Sequence, residues 1–428
     1  MSVPLDRLYN FLHDIVNHDI TIYRFWPHGS KKLEDLVSLM KRGTWVENMT
    51  TPQAIFHDQE PLYFNLWTQE DFEQAWHQYL DARLVKMHPL FHHPLQVSFY
   101  TSLHLRTMVM PVNVYDYILL VHSEKNSKEV DTYSQHGFLP VYYWSHAAIA
   151  ADWFRYAEHD PKLQYDTNTF TQDFLIYNRA WAGTREYRLK FADELIQAGL
   201  TKNCCTSFAP VDTALHYSQH KFANPDLAIT RTDLETVLPP NTHNSHASAD
   251  YNNQDYAQAG MEIVMETLFD DSRWHLTEKA LRPIACGKPF MLVATAGSLE
   301  YLRSYGFETF GDFIDESYDL ETDPVGRLTA VIREMSRIAA MSSEDKILLW
   351  NQLHTIADRN KQRFFSAEWQ ASIIQEYVDN MNHAIIIMNQ NCTGKLWHSV
   401  RELNCATGIV STRPQEEVDQ VLAYLNSK

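Results

Sequence analysis

Residues 274–290 read WHLTEKALRPIACGKPF and predict a helix that leads into an apolar strand. Thr277 is suited to cap the first turn, and Gly287 is suited to end the helix in a left-handed conformation. The unpaired N–H groups at such a helix start favour a phosphate, to which Lys279 adds a full cation. Beside them, the Glu278 carboxylate can accept hydrogen bonds from the two hydroxyls of a ribose. The stretch therefore predicts a nucleotide site.

The segments on both sides of this helix repeat the same alternation of strand and helix. Strands are predicted at 173–179, near 204–208, at 261–268 and at 289–293, and helices at 184–199 and 297–305. Residues 238–258, which are rich in Pro, Asn, Ser and His, are typical of a mobile loop. The chain from 325 to 382 is predicted to be mostly helical. This pattern indicates a doubly wound α/β domain.

A second parallel sheet is predicted upstream. Its short apolar strands fall at 20–24, 53–56, 115–121 and 139–144, and its helices at 69–85 and 147–158. A chain of 428 residues is too long for one ordinary core. We therefore expect an α/β fold of two Rossmann-like doubly wound domains that face each other across a cleft, residues 1–160 and 161–382. Residues 383–428 form an extension of unknown role.

The composition excludes several classes of protein. With 45% hydrophobic residues and no apolar run of membrane-spanning length, we expect a soluble chain without a membrane span. The N-terminus does not resemble a signal peptide, so the expected location is the cytoplasm. The net charge of −18 argues against a broad grip on nucleic acid. The chain lacks P-loop, G-x-G-x-x-G, G-x-S-x-G and Asp-x-Asp motifs, so we expect neither a cofactor nor a metal.

Charged side chains follow two strands of the second predicted domain. Arg179 ends the strand 173–179, Arg185 begins the next helix, and Glu266 lies at the end of the strand 261–268. Because ligands of open parallel sheets bind at the carboxyl ends of the strands, we expect the two arginines to hold an anion there. The alternative for each arginine is an ordinary solvated loop residue.

The first predicted domain offers a candidate base and a polar loop suited to bind the molecule that carries the reacting hydroxyl. His57, Asp58 and Glu60 follow the strand 53–56, and Pro61 holds Glu60 in an extended conformation. One of the two carboxylates, Glu60 ahead of Asp58, can remove the proton of a hydroxyl, although a capped turn is the alternative. A second polar strand end, which is equally well explained as a plain loop, consists of His122, Ser123 and Glu124.

The order of these motifs resembles the donor domain of the fucosyltransferase-like enzymes, glycosyltransferase family 10. The similar features are an Asn-Arg strand end with a following Arg, then Glu266, then Thr277-Glu278-Lys279 and the strand entry Gly287-Lys288-Pro289. The resemblance implies a GT-B-type enzyme in which Glu278 binds the ribose of a nucleotide sugar. Lys279 and Arg185 would then bind its diphosphate, Glu266 would lie near the donor, and Glu60 would act as the base.

The chain departs from that family in residues that leave the sugar and the nucleobase open. Thr267-Leu268 follows Glu266 where the family has Asn-Ser, and Leu276 replaces a Val or Ile. The run from Lys288 to Asp319 resembles uncharacterised proteins of tailed bacteriophages, which implies a phage source.

The first functional hypothesis is an inverting, metal-independent glycosyltransferase that uses a UDP- or GDP-sugar. For a phage enzyme, a fitting acceptor is a hydroxymethylated pyrimidine in DNA, flipped out of the helix. The alternative is a catalytically idle sugar- or nucleotide-binding protein of the virion or its assembly.

Overall fold

A computed structural model describes residues 21–24, 53–56, 118–135, 138–239 and 250–390. The chain forms two compact units. One contains residues 146–373, and the other contains the described residues up to Ser145 together with residues 374–390. Each unit is built on a four-stranded parallel sheet, as expected for an α/β protein.

The unit formed by residues 146–373 contains the strands β5 (Gln172–Asn178), β6 (Cys204–Phe208), β9 (Ala259–Met265) and β10 (Phe290–Val293). These strands form one sheet in the order β10-β9-β5-β6. Every residue of β9 and β10 is buried, because helices cover both faces of a parallel sheet. A two-stranded antiparallel hairpin, β7 (Val211–Asp212) and β8 (Leu215–His216), follows β6.

Helices connect these strands or follow the last of them. They are α3 (Tyr187–Gln197), α4 (Leu234–Val237), α5 (Asn253–Gln258), α6 (Glu278–Cys286), α7 (Ser298–Ser304), α8 (Pro324–Ala339) and α9 (Ser343–Phe365). A β-carbon on Gly260 of β9 would lie 2.5 Å from the Trp350 ring of α9, so glycine is required for this close helix–strand contact.

Helix α6 begins and ends where its sequence predicts. The Thr277 side chain accepts a hydrogen bond from the Lys279 N–H, as an N-cap does. Gly287 adopts φ of 66° at the other end and donates its N–H to the Pro283 and Ile284 carbonyls. Both predictions are confirmed, because caps depend on residues only a few positions apart.

The second sheet has the order β1-β2-β3-β4, with all neighbouring strands parallel. Its strands are β1 (Thr21–Arg24), β2 (Gln53–Phe56), β3 (Ile118–His122) and β4 (Phe138–Tyr142). Helix α1 (Lys128–Gln135) joins β3 to β4, and α2 (Ser145–Trp153) follows β4. All four strands were predicted from the sequence, and their positions are confirmed to within a few residues.

Helix α10 (Ala367–Gln390) begins in one unit and ends in the other. Its later turns pack beside the end of β4. Asn380 donates a hydrogen bond to the Tyr142 carbonyl at 3.0 Å, and the rings of Tyr377 and Tyr143 lie 4.9 Å apart. The helix continues without a break through residue 383, where the sequence analysis places the start of an extension.

Three predicted elements differ from the observed ones. The predicted loop 238–258 ends in α5, whose first turn is capped by the Asn252 side chain, a local signal that the polar composition concealed. The predicted helix 184–199 is a 3-10 turn, Gly183–Arg185, followed by α3. Likewise, α2 ends at Trp153 and a separate 3-10 turn covers Arg155–Glu158. No described helix is long and apolar enough to cross a membrane.

Candidate functional site

In the sheet formed by β10, β9, β5 and β6, the strand order reverses between β5 and β9. The chain passes from β5 to β6 on one side and then returns to place β9 on the other side of β5. In open parallel sheets such a reversal opens a crevice at the carboxyl ends of the two strands. Ile176 pairs with Ile263, and by the same register Arg179 is level with Glu266. The structure therefore brings these two predicted residues to the carboxyl ends of adjacent strands.

Helix α3 fastens the two strand ends to each other. The Tyr187 hydroxyl donates to the Glu266 carbonyl at 2.7 Å. The buried Arg188 guanidinium donates to the Ala180 carbonyl at 2.6 Å and to the Met265 carbonyl at 2.6 Å. Carbonyl oxygens accept the hydrogen bonds of this guanidinium, which also lies 5.9 Å from the centroid of the Tyr187 ring. Arg188 was not predicted from the sequence, since a polar residue on an amphipathic helix gives no sign of burial.

Three guanidinium groups lie close together at this point. Burial lowers the pKa of half-buried Arg179, and the neighbouring Arg188 and Arg185 lower it further, whereas Glu278 and Asp212 act in the opposite direction. The two carboxylates offset part of this mutual repulsion, and a bound anion would offset more of it. Arg185, at the end of its 3-10 turn, is partly exposed. The position of the cluster at a strand end agrees with the predicted anion site.

The loop between β5 and α3 is held by the β7–β8 hairpin. The Asp212 carboxylate accepts hydrogen bonds from the backbone N–H groups of Trp181 at 2.8 Å and Ala182 at 2.7 Å. The Trp181 indole is fully buried and donates to the Ala209 carbonyl at 2.9 Å. These contacts fix the backbone between Arg179 and Arg185, so the two side chains start from defined positions.

Glu266 is fully buried and caps helix α6. One carboxylate oxygen accepts from the N–H groups of Thr277 at 2.9 Å and Ala280 at 3.2 Å. The other accepts from the Thr277 hydroxyl at 2.7 Å and the Thr267 N–H at 3.1 Å. The expectation of unpaired N–H groups at this helix start is therefore wrong for Thr277 and Ala280. A carboxylate from the preceding strand already occupies the place that the sequence analysis left for a phosphate.

Glu278 and Lys279 form an ion pair beside this cap. The Lys279 ammonium lies 2.9 Å from Glu278 Oε1 and 2.9 Å from the Thr277 hydroxyl, and 21% of its side chain is exposed. The other Glu278 oxygen lies 3.0 Å from Nδ1 of buried His146. Burial opposes ionisation of Glu278, but Lys279 and then His146 outweigh it and hold the pKa of this carboxyl well below its usual value.

His146 was missed by the sequence analysis, which treated its surroundings only as a helical stretch. It lies in the first turn of α2, and its ring packs edge-on against His275 with 5.2 Å between centroids. A histidine so distant from Glu278 in sequence carries no local signal of this contact. Only the packing of α2 against the start of α6 brings the two together.

The predicted acceptor residues of the other sheet also lie together. His122 ends β3, and His122, Ser123 and Glu124 are all buried. Burial lowers the pKa of His122 to about 4, and its Nδ1 accepts a hydrogen bond from the Glu124 N–H at 3.4 Å. His122 is therefore neutral at physiological pH. The predicted proton acceptors Glu60 and Asp58, together with His57 and the helix 69–85, lie outside the described residues.

The described part of the chain contains no cluster of three or more side chains suited to hold a metal ion. No protein-family model, curated protein or solved structure matches the chain. The assignment of a function therefore depends on the chemistry of the residues described above.

Proposed function

We propose that the protein is a glycosyltransferase that moves a sugar from a nucleotide diphosphate to an acceptor hydroxyl. The observation that carries this proposal is the gathering of Arg179, Arg185 and Arg188 at the reversal of the strand order, with Lys279 nearby. Glu278 links the two groups, since it pairs with Lys279 and also acts on the charge of Arg179. Planar guanidinium groups and a lysine are suited to hold the oxygens of two phosphates.

The residues divide the work of the reaction between them. As the acceptor oxygen bonds to the anomeric carbon, the bond from that carbon to the diphosphate breaks and its electron pair leaves on the diphosphate. Arg179, Arg185 and Lys279 would stabilise this charge more strongly in the transition state than before it. The hydroxyl proton would pass to Glu60 or Asp58, and attack opposite the leaving group would invert the anomeric carbon.

Glu278 and Glu266 take different parts in this proposal. Glu278 orients Lys279, and its remaining lone pairs are the proposed acceptors for the ribose hydroxyls, because a carboxylate offers about four such sites. Glu266 stabilises the start of α6 and acts on the donor only through that helix. The two parallel-sheet units would be the acceptor and donor halves of a GT-B-type enzyme.

Nucleotide binding is the first test of this proposal. Isothermal titration with UDP, GDP and ADP should detect binding of at least one to the wild-type chain. Lys279→Ala and Arg185→Ala should each weaken that binding by about 10- to 100-fold, the loss expected for one charge-assisted hydrogen bond. Lys190→Ala is the matched control, because Lys190 also pairs with a glutamate, Glu194, but lies further along α3. Unchanged affinity in both site variants would contradict the proposal.

Donor hydrolysis separates the enzyme from an idle binding protein. A glycosyltransferase should slowly release free nucleotide from its sugar nucleotide, and Lys279→Ala should abolish that release. Acceptor screens would include DNA with hydroxymethylated pyrimidines, lipopolysaccharide and protein. Binding without hydrolysis or transfer to any of them would favour the idle sugar- or nucleotide-binding protein.

A further inference from the structure

The start of α6 carries three ionisable groups in a row. His146 Nδ1 lies 3.0 Å from Glu278 Oε2, and Lys279 Nζ lies 2.9 Å from Glu278 Oε1. The side chains of His146 and Glu278 are 5% and 8% exposed, whereas that of Lys279 is 21% exposed. The carboxylate therefore lies between an inner imidazole and an outer ammonium. Any ligand that reaches this row meets Lys279 first.

The net charge of the row depends on the imidazole. With Glu278 ionised and Lys279 protonated, a neutral His146 leaves a net charge of zero, and a protonated His146 leaves a net charge of plus one. In the neutral state the Lys279 charge is compensated by Glu278. In the protonated state His146 compensates the carboxylate, and the Lys279 charge can act on an anionic ligand.

We propose that His146 is a positioning residue that sets how strongly Lys279 attracts the phosphates of the donor. Protonation of the imidazole strengthens donor binding, and loss of that proton weakens it. This inference rests on the proposed function, because it concerns regulation of the same site by pH. It also explains why Glu278, which already has an ammonium partner, has a buried histidine as its second one.

Charged and titratable groups from three elements surround this row. Helix α6 contributes Glu278 and Lys279, and the segment before α6 contributes His275, whose ring is perpendicular to that of His146. Arg179, which follows β5, also interacts electrostatically with Glu278. Burial of His146 disfavours its cation, whereas the carboxylate favours it. Histidine is the side chain that ordinarily changes charge at about pH 5 to 8, which is the range that the test covers.

The test measures the affinity for a sugar nucleotide as a function of pH. UDP-glucose and GDP-mannose are suitable probes, because their diphosphate diesters have no proton to lose in this range and any pH dependence belongs to the protein. We expect the affinity of the probe that binds to fall by about tenfold between pH 5.5 and 8.5, the effect of one nearby charge at a partly exposed site. His146→Gln should bind with an affinity that is nearly independent of pH.

His220→Gln is the matched control. His220 Nε2 also lies 3.0 Å from a buried glutamate, Glu186, but the described partners of that glutamate include no lysine. This variant should keep the wild-type pH profile. Tight binding whose affinity does not change with pH, or a pH profile in His146→Gln equal to that of the wild type, would refute the role of His146 but not the proposed function. No binding of either probe at any pH would refute the proposed function as well.

A ligand-free measurement tests the same inference independently. The NMR signal of the His146 ring, assigned by its loss in His146→Gln, should titrate between pH 5.5 and 8.5. In Glu278→Gln its midpoint should fall by about one pH unit, because the carboxylate no longer favours the cation. A signal that does not titrate, or that titrates identically in both proteins, would overturn the proposal.

Discussion

Replacement of Glu266 by alanine should destabilise the unit formed by residues 146–373 more than any single surface change. Its carboxylate accepts from the N–H groups of Thr267, Thr277 and Ala280 and from the Thr277 hydroxyl. All of these donors are buried, so water cannot replace the lost acceptor without reorganisation. The change also removes a negative charge from the positive end of α6.

The expected cost follows from these contacts. Each backbone N–H left unsatisfied in the interior costs about 1 to 3 kcal/mol. Three such groups with partial relaxation, together with the lost helix-dipole interaction, give about 4 kcal/mol for Glu266→Ala. In Glu266→Gln the remaining oxygen can still accept from the N–H groups of Thr277 and Ala280. The NH₂ group replaces the other oxygen and faces the Thr267 N–H, so two donors oppose each other. The expected cost of this variant is about 1 to 2 kcal/mol.

Urea unfolding at pH 7, followed by tryptophan fluorescence, measures both changes. Glu300→Ala is the control, because Glu300 is exposed on α7 and should change the free energy of unfolding by less than about 0.5 kcal/mol. Hydrogen exchange should show faster exchange of the Thr277 and Ala280 amides in Glu266→Ala, and faster exchange of the Thr267 amide in both variants. Glu266→Ala within about 1 kcal/mol of wild type would refute the assignment of Glu266 as the cap of α6.

Two further predictions concern buried charges. Glu262→Gln should destabilise the chain by about 3 to 5 kcal/mol in urea unfolding. In the wild-type chain the Glu262 carboxylate lies 2.5 Å from the buried Arg282 guanidinium, which would lose its counterion. The double change Glu262→Met and Arg282→Met should cost less free energy of unfolding, and an equal cost would contradict the role of the ion pair. His122, with a pKa of about 4 against 6.5 in the unfolded chain, should contribute stability above about pH 6.5 that is lost as the pH falls toward 4, up to about 3 kcal/mol. His122→Gln should lose less stability than wild type between pH 7.5 and 4.5, and equal losses would exclude His122 as the cause.

Local sequence determined the framework of the described sheets. The strands 53–56 and 204–208 match β2 and β6 because a run of apolar or β-branched residues carries its own signal. Thr277 and Gly287 mark the ends of α6 because capping depends on neighbours within a few positions. The short helix α5 escaped prediction, since its polar residues resemble those of a loop.

The tertiary structure alone decided which side chains meet at the carboxyl ends of the strands. Glu266 was predicted to lie near a ligand, yet the packing of β9 against α6 makes it the acceptor for that helix. Arg188 and His146 gave no signal in the sequence, because their burial and partners come from segments far apart in the chain. The sequence specifies which charges are available, and long-range packing determines which of them compensate one another and which can act on a ligand.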